Sequence, residues 1–301
     1  MNKLFFSTKN YSYLRDQLVA STKADCGTVE TTLFPDGERY QRIITPVEKR
    51  NVVLIGGTIN ENDTLELYDL ACTLAQNGCS ELTIVIPYFG YSTMERAIKY
   101  GEVVTAKTRA LLLSSIPACN NGNKIILFDL HTEGLPHYFE TTVKPIHVYC
   151  KPLIIELCKE LAGTDFVLAS TDAGRAKWVE SLATDMSVDI GFISKKRISG
   201  TETEVLSINA DVNNKTVVIY DDMIRTGGSL INAARAYKQA GANKIIAITT
   251  HGLFSNNALE KIKATNLFEK IGCTDTHINA LSSKDSFLVV KSIDKLIAEN
   301  C

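Results

Sequence analysis

Two adjacent carboxylates stand next to a glycine-rich turn in the stretch VVIYDDMIRTGGS, which ends at Ser229. Glycines let backbone N–H groups converge on a ligand, and the start of a following helix adds partial positive charge, so the turn suits a phosphate. Asp221 and Asp222 suit another part of a ligand, because carboxylates accept hydrogen bonds from vicinal hydroxyl groups. The pattern therefore predicts a sugar-phosphate site whose turn consists of Arg225, Thr226, Gly227, Gly228 and Ser229.

The same residues allow a simpler interpretation, in which Ser229 only caps a helix and the two aspartates are solvated. The order of an apolar run, two aspartates, the turn and an amphipathic segment favours the binding site over this interpretation. The chain contains neither GxxxxGK[ST] nor GxGxxG, so a P-loop and a dinucleotide-binding turn are not expected.

Short β-branched runs alternate along the chain with segments of helical periodicity. This alternation is typical of a parallel sheet that helices cover on both faces. The runs that predict strands are 51–57, 82–89, 124–131, 165–171, 216–222 and 244–252. Ligands of such sheets bind outside the carboxyl ends of the strands, and Asp221 and Asp222 stand at one of these ends.

An internal repeat relates the two halves of the chain. A shift of 163 positions places segment 67–92 on segment 230–255, and each contains a helix, a glycine, a short polar turn and a buried strand. Gly78 and Gly241 predict helix C-caps at equivalent positions. Chance similarity of two helix–Gly–strand units is the alternative, but we predict two similar α/β domains, covering residues 1–147 and 148–301.

Composition argues against several classes of protein. The 301 residues carry a formal net charge of −2 without a long basic run, so no nucleic-acid partner is expected. The eight cysteines include no CxxC pair, which argues against a zinc site. No apolar run reaches the roughly 18 residues of a membrane span, so we expect a soluble, cytoplasmic protein without a membrane partner.

The stretch VVIYDDMIRTGGS resembles the phosphoribosyl-diphosphate binding motif of type I phosphoribosyltransferases and ribose-phosphate pyrophosphokinases. Other segments resemble the pyrophosphokinases alone, and they follow that family's order over nearly the whole chain: LFPDGE (33–38), PYFGYSTMER (87–96), DLH (129–131), STDAG (170–174) and SKKR (194–197). The resemblance implies an α/β fold of two duplicated type I phosphoribosyltransferase-like domains, each a mostly parallel sheet flanked by helices. It also implies that the diphosphoryl group of ATP is transferred to the 1-hydroxyl of ribose 5-phosphate.

The resemblance implies that Lys195 and Arg197 are the catalytic pair. Negative charge accumulates on phosphoryl oxygens in such a transition state, so the site needs cations more than a nucleophile. Two residues that are two positions apart in an extended segment face the same side. Outside this family context, the basic run would be a solvated turn.

The resemblance also assigns the remaining site residues. The implied nucleotide-binding residues are Phe34, Asp36, Gly37, Glu38, Thr93, Met94, Arg96 and His131. The implied pyrophosphate loop is Asp172, Ala173 and Gly174, and the implied ligands of Mg²⁺ are His131 and Asp172. Magnesium prefers oxygen ligands, so a strand-end histidine held by ordinary hydrogen bonds is the alternative for His131.

The FPDGE turn implies an assembly. By resemblance it reaches a nucleotide bound mainly by a neighbouring subunit, so the expected state is a homo-oligomer with sites at subunit interfaces. An ordinary surface turn with a packed phenylalanine is the alternative. The expected small-molecule partners are ribose 5-phosphate and ATP or another nucleoside triphosphate.

The nucleotide segment departs from the common pattern of the family. Thr93 and Met94 stand where an arginine and a glutamine normally hold the nucleotide, and the segment resembles the plant-type second class, which is less selective for ATP. Arg225 replaces an aspartate of the common class, and Arg175 replaces a second glycine of the pyrophosphate loop. The sequence thus supports the sugar-phosphate half of the site more strongly than the nucleotide half.

We therefore predict a ribose-phosphate diphosphokinase that forms 5-phosphoribosyl 1-diphosphate and AMP with Mg²⁺. One alternative is a type I phosphoribosyltransferase that uses the same loop with a nucleobase. The other is a catalytically impaired regulatory homologue: the altered residues 93 and 94 favour it, whereas Lys195, Arg197 and Asp221 argue against it.

Overall fold

The computed structural model of the chain describes residues 3–140, 142–171, 176–197, 203–283 and 285–301, without the side chains of 194–207. The chain divides into two compact units: Met1–Tyr149 with Asp294–Cys301, and Cys150–Ile293. We call these unit 1 and unit 2. The predicted domain boundary between residues 147 and 148 stays a prediction. No sequence pattern indicated that Asp294–Cys301 belong to unit 1.

Unit 1 contains a six-stranded sheet with the strand order β2-β1-β5-β6-β7-β8, in which each strand is parallel to its neighbours. Strands β3 and β4 form a separate antiparallel hairpin. The elements in chain order are β1 (Leu4–Ser7), α1 (Ser12–Thr22), β2 (Asp25–Cys26), β3 (Val29–Leu33), β4 (Arg39–Ile43), β5 (Asn51–Ile55), α2 (Glu61–Gln76), β6 (Glu81–Ile86), α3 (Thr105–Ser114), β7 (Asn123–Phe128) and β8 (Val143–Val148).

Unit 2 repeats this plan with the strand order β10-β9-β13-β14-β15-β16, again parallel throughout, and a separate antiparallel β11–β12 hairpin. The elements are α4 (Lys151–Ala162), β9 (Val167–Ser170), α5 (Ala176–Met186), β10 (Asp189–Gly191), β11 (Ile193–Arg197), β12 (Thr203–Ile208), β13 (Thr216–Ile224), α6 (Gly228–Gln239), β14 (Lys244–Gly252), α7 (Ala258–Ala264), β15 (Lys270–Thr274) and β16 (Leu288–Lys291). The last helix, α8 (Asp294–Asn300), contacts α1.

The two units are duplicates in their topology. Each places its second strand outside its first, inserts a hairpin after the second strand, and adds the remaining strands on the other side. The first strands, Leu4–Ser7 and Val167–Ser170, are 163 positions apart, which is the shift of the sequence repeat. The structure confirms the predicted fold class: a mostly parallel sheet flanked by helices, present twice.

The strand sequences explain why these sheets are covered on both faces. In β5, the four consecutive residues Val52, Val53, Leu54 and Ile55 are all buried, and β13 and β14 contain similar runs. A parallel strand buried on both faces needs such continuous apolar runs rather than alternation. Each fully buried side chain of this size contributes about 1.5–3 kcal/mol. The carboxyl ends of these strands lie at one edge of each sheet and carry the polar residues described below.

Across the ranges that the structure describes, no helix is both long and apolar enough to cross a membrane.

Candidate active site

The carboxylate pair lies in the last part of β13, where the two residues have different environments. The hydroxyl of Thr171, just after the neighbouring strand β9, donates a hydrogen bond to Asp221 Oδ2 at 2.8 Å. The backbone N–H of Asp222 donates to Asp221 Oδ1 at 3.0 Å. Asp221 is half-buried and lines a small pocket, whereas Asp222 is buried and does not line it. Adjacent strand residues point to opposite faces, which explains the difference.

The predicted phosphate turn, Arg225–Ser229, leads directly into α6. Asp221 and residues 223–230 line a pocket of about 130 Å³ at this turn. No side chain caps the N-terminus of α6, and its first turn contains no acidic residue. The first N–H groups of a helix have no partner within the helix, so this end can bind an anion. The alternative in which Ser229 caps the helix is therefore wrong for this structure.

The two glycines of the turn are required for different reasons. Gly227 has a φ of 80°, and a Cβ atom there would lie 2.8 Å from side-chain atoms of Ile262. A larger residue at Gly227 would therefore strain the fold itself. A Cβ atom on Gly228 would meet no protein atom within 4 Å. The fold thus leaves open space beside Gly228, which lines the pocket.

The equivalent helix of unit 1, α2, has a capped and acidic N-terminus. Asn60 caps α2 by accepting a hydrogen bond from the backbone N–H of Asp63 at 3.0 Å. Glu61 and Asp63 place acidic groups in the first turn of α2. Burial raises the pKa of the Asp63 carboxyl, while Asn10 donates a hydrogen bond to it at 2.8 Å. The protein's own groups thus occupy the helix end in unit 1, and only unit 2 keeps it open.

The predicted catalytic residues belong to the β11–β12 hairpin. Lys195 pairs with Val205 and Arg197 pairs with Thr203 across the hairpin, with a register irregularity between Ser194 and Lys195. The backbone of residues 193–197 is therefore extended. The side chains of Lys195 and Arg197 lie outside the described part of the structure, as do all atoms of the predicted pyrophosphate-loop residues Asp172, Ala173 and Gly174.

The predicted nucleotide turn of residues 34–38 connects β3 and β4. The N–H of Phe34 donates to Glu38 O at 2.8 Å, and the N–H of Gly37 donates to Phe34 O at 2.9 Å. Asp36 accepts a hydrogen bond from the backbone N–H of Glu38 at 3.0 Å. These bonds form a tight turn in which Gly37 has a φ of 93°. The ring of Phe34 is 46% exposed, so the turn presents an aromatic surface to its surroundings.

The second nucleotide segment follows β6. Gly90 is packed so closely that a Cβ atom would lie 1.9 Å from Thr58 O. The N–H of Met94 donates to Tyr91 O at 2.8 Å and closes a turn. The Met94 side chain is 43% exposed, and that of Arg96 pairs with the neighbouring Glu95 at 3.4 Å. The segment thus exposes Met94 and Arg96 on unit 1, whereas Thr93 and Glu95 are half-buried.

His131 lies three residues after the end of β7, near the carboxyl edge of its sheet. Asp129 is buried with a φ of 35°, and the N–H of Leu130 donates to His147 Nε2 at 3.0 Å. Within the described ranges, no three His, Cys, Asp or Glu side chains come together as a metal site. Asp172, the other predicted ligand, is outside these ranges.

Thr171 is a further candidate site residue, which no local sequence pattern singled out. It stands at the end of β9, directly before the predicted pyrophosphate loop, and its hydroxyl orients Asp221. Its position in the STDAG segment was visible in the sequence, but its partner lies 50 residues away. Only the parallel pairing of β9 with β13 brings the two residues together.

Comparisons with protein families place both units in the same group. The family model for the N-terminal domain of ribose phosphate pyrophosphokinase matches residues 3–116. The model for the phosphoribosyl synthetase-associated domain matches residues 178–301. The second match includes the turn Arg225–Ser229 and the β11–β12 hairpin.

Individual proteins give the same result over nearly the full chain. A ribose-phosphate pyrophosphokinase of Methanopyrus kandleri is 32% identical and is matched over 86% of this chain and 87% of its own. One of Fusobacterium nucleatum is 30% identical, over 99% of this chain and 93% of its own. The crystal structure of the phosphoribosylpyrophosphate synthetase of Mycobacterium smegmatis is 25% identical, with a TM-score of 0.88 over 100% of this chain and 97% of that one. The chain therefore belongs to the ribose-phosphate pyrophosphokinase family.

Proposed function

We infer that this chain is a ribose-phosphate diphosphokinase, which transfers the diphosphoryl group of ATP to the 1-hydroxyl of ribose 5-phosphate and releases AMP. The observation that carries this proposal is the uncapped start of α6 beside Asp221, in a chain whose two units both match the pyrophosphokinase family. A single-domain phosphoribosyltransferase does not account for the match to unit 1. The matches to ribose-phosphate pyrophosphokinases over nearly the full chain do not favour a purely regulatory homologue.

In the proposed mechanism, the N–H groups at the start of α6 bind the 5-phosphate. The Asp221 carboxylate accepts hydrogen bonds from ribose hydroxyls, and the bond from Thr171 fixes its orientation. Lys195 and Arg197 neutralise negative charge that develops on the transferred phosphoryl groups. Arginine suits this role because its planar guanidinium group can bind two phosphoryl oxygens at once, whereas lysine acts as a compact charge.

Magnesium is the proposed cofactor, with His131 and Asp172 as candidate protein ligands. Protein-bound Mg²⁺ usually takes one or two side chains, with phosphate oxygens and waters completing its coordination. When bound to the nucleotide, the ion would neutralise part of the phosphate charge.

One assay tests the function: AMP formation from ATP and Mg²⁺, with and without ribose 5-phosphate. We expect AMP only in the presence of the sugar phosphate, together with 5-phosphoribosyl 1-diphosphate in equal amount. No AMP under either condition would contradict the proposal. Consumption of 5-phosphoribosyl 1-diphosphate with a nucleobase would support a phosphoribosyltransferase instead.

The nucleotide segment predicts weak discrimination among nucleoside triphosphates. Thr93 offers one hydroxyl and Met94 only a thioether, so neither replaces the hydrogen bonds of an arginine and a glutamine. Discrimination between bases requires site groups that the wrong base leaves unpaired. We therefore expect the ratio of kcat/KM for ATP to that for GTP, CTP or UTP to stay below about a thousand, which corresponds to about 4 kcal/mol. This expectation follows the proposed plant-type character of the segment.

The double variant Thr93→Arg, Met94→Gln is the matched comparison, because it introduces the arginine and the glutamine of the common family pattern at these two positions. It should raise the preference for ATP over the other three triphosphates. A wild-type preference for ATP above about a thousandfold would show that other residues, such as Phe34, Asp36 and Glu38, carry the base recognition.

The exposed aromatic turn leads to a proposal about assembly. Phe34 lies at the tip of the β3–β4 hairpin with almost half of its side chain exposed. If this turn completes the nucleotide site of a neighbouring subunit, the active form is at least a dimer. Phe34→Ala and Lys195→Ala would then each impair activity, and mixing the two variants after dissociation and reassociation should restore part of it. A fully active monomer in light scattering, or no restoration on mixing, would contradict the proposal.

A further inference from the structure

Three side chains form a closed cluster beside the proposed nucleotide segment: Glu61 in the first turn of α2, Tyr91 in the segment, and Arg109 in α3. Tyr91 Oη donates to Glu61 Oε1 at 2.7 Å. Arg109 forms an ion pair with Glu61 Oε2, and its guanidinium carbon lies 5.1 Å from the centre of the Tyr91 ring. Each member therefore contacts the other two, and Tyr91 is held by both its hydroxyl and its ring.

The charges of the cluster are consistent with this arrangement. The hydrogen bond from Tyr91 and the contact with Arg109 lower the pKa of the Glu61 carboxyl, so it is ionised at neutral pH. The same hydrogen bond raises the pKa of Tyr91, which keeps its hydroxyl proton available as the donor. Glu61 thus accepts from both Tyr91 and Arg109, and both interactions persist near pH 7.

The backbone shows why Tyr91 needs this support. Its φ of 62° lies in the left-handed region, which is unfavourable for a residue with a side chain. The preceding N–H, of Gly90, donates to Thr58 Oγ1 at 2.7 Å in the loop before α2. The carbonyl oxygen of Tyr91 then accepts from Met94. The orientation of Tyr91 thus determines how the chain enters the turn that carries Thr93 and Met94.

The ion pair of the cluster is only partly exposed: the Glu61 side chain is 63% exposed and that of Arg109 is 19% exposed. Solvent around the Glu61 carboxylate screens the pair and limits its contribution to the free energy of unfolding. Glu61 belongs to α2 and Arg109 to α3, yet both side chains contact Tyr91, which lies in the segment after β6. This arrangement indicates a local role in orientation.

We propose that Glu61 and Arg109 are positioning residues for the nucleotide, which act through Tyr91 to fix the turn at Thr93, Met94 and Arg96. This inference rests on the proposed function, because it assigns that turn to the nucleotide site. The residues do not touch the reacting groups in this proposal. Their loss should weaken nucleotide binding and leave the sugar-phosphate site in unit 2 unaffected.

The test is Arg109→Met, which removes the charge and keeps the length of the side chain. We expect the Kd of ATP from direct titration, and the KM of ATP, to rise about tenfold. The KM of ribose 5-phosphate and the Tm should stay unchanged, and Arg109→Lys should restore part of the ATP affinity. Tyr91→Phe should also weaken ATP binding, and the double variant should be no worse than Arg109→Met, because both changes break the same cluster.

Arg50→Met is the matched control, since Arg50 also pairs with a carboxylate of unit 1, Asp25, away from this segment. It should leave the Kd of ATP unchanged. Glu61→Gln provides a second variant at an exposed position if Arg109→Met folds poorly. Wild-type ATP affinity in both variants, or equal losses for ATP and ribose 5-phosphate, would overturn the proposal. A wild-type protein that binds ATP but forms no AMP would contradict the proposed function, while the titrations would still decide the role of the cluster.

Discussion

Replacement of Lys195 by alanine is expected to lower the turnover number by a factor of about 100 or more. In the proposed mechanism, this variant loses a cation that neutralises the negative charge growing on phosphoryl oxygens in the transition state. The affinity for ribose 5-phosphate should change little, because that ligand is assigned to Asp221 and the start of α6. Steady-state kinetics, together with calorimetric titration of ribose 5-phosphate, separates the two quantities.

Lys196→Ala is the matched control for this prediction. Lys196 is the next residue of β11 and pairs with Glu204, whereas Lys195 pairs with Val205. Successive residues of an extended segment alternate between its faces, so we expect Lys196 to face away from Lys195 and Arg197. Its replacement should leave turnover nearly unchanged. An unaltered turnover number in Lys195→Ala, or an equal loss in both variants, would show that the assignment of Lys195 is wrong.

Asp221→Ala and Gly228→Val should each weaken binding of ribose 5-phosphate by about 1–3 kcal/mol, or roughly 5- to 150-fold. Asp221→Ala leaves ribose hydroxyls without their acceptor. Gly228→Val places a side chain in open space beside a pocket of only about 130 Å³ and blocks close approach to the backbone. Isothermal titration calorimetry measures both effects directly.

The choice of Gly228 over Gly227 makes the experiment decisive. A valine at Gly227 would meet Ile262 and a left-handed backbone, so a loss of binding there could reflect misfolding. Gly134→Val is a suitable control, because a Cβ atom there also meets no atom within 4 Å and the residue belongs to unit 1. It should bind ribose 5-phosphate normally. Wild-type affinity in both Asp221→Ala and Gly228→Val would refute the assignment of the pocket.

The sequence by itself determined the fold class, because a continuous apolar run such as that of β5 is stable only in a sheet covered on both faces. It also determined the duplication, since the shift of 163 positions relates the first strands of the two units. The phosphate turn was equally visible, because its chemistry depends on five consecutive residues. Properties that depend on neighbours in the chain, or on a regular period, can be predicted from sequence.

The tertiary structure alone decided which groups meet across the chain. It showed that α6 has an open N-terminus while Asn60 and Asp63 close that of α2, although both helices occupy equivalent places in the repeat. It also joined Thr171 to Asp221, which are 50 residues apart. Such contacts depend on strand register, on helix packing and on the direction of each side chain, which no local pattern of residues specifies. The candidate site was therefore predicted from sequence and stays a prediction, whereas the contacts and the open space at these residues depend on packing between distant segments.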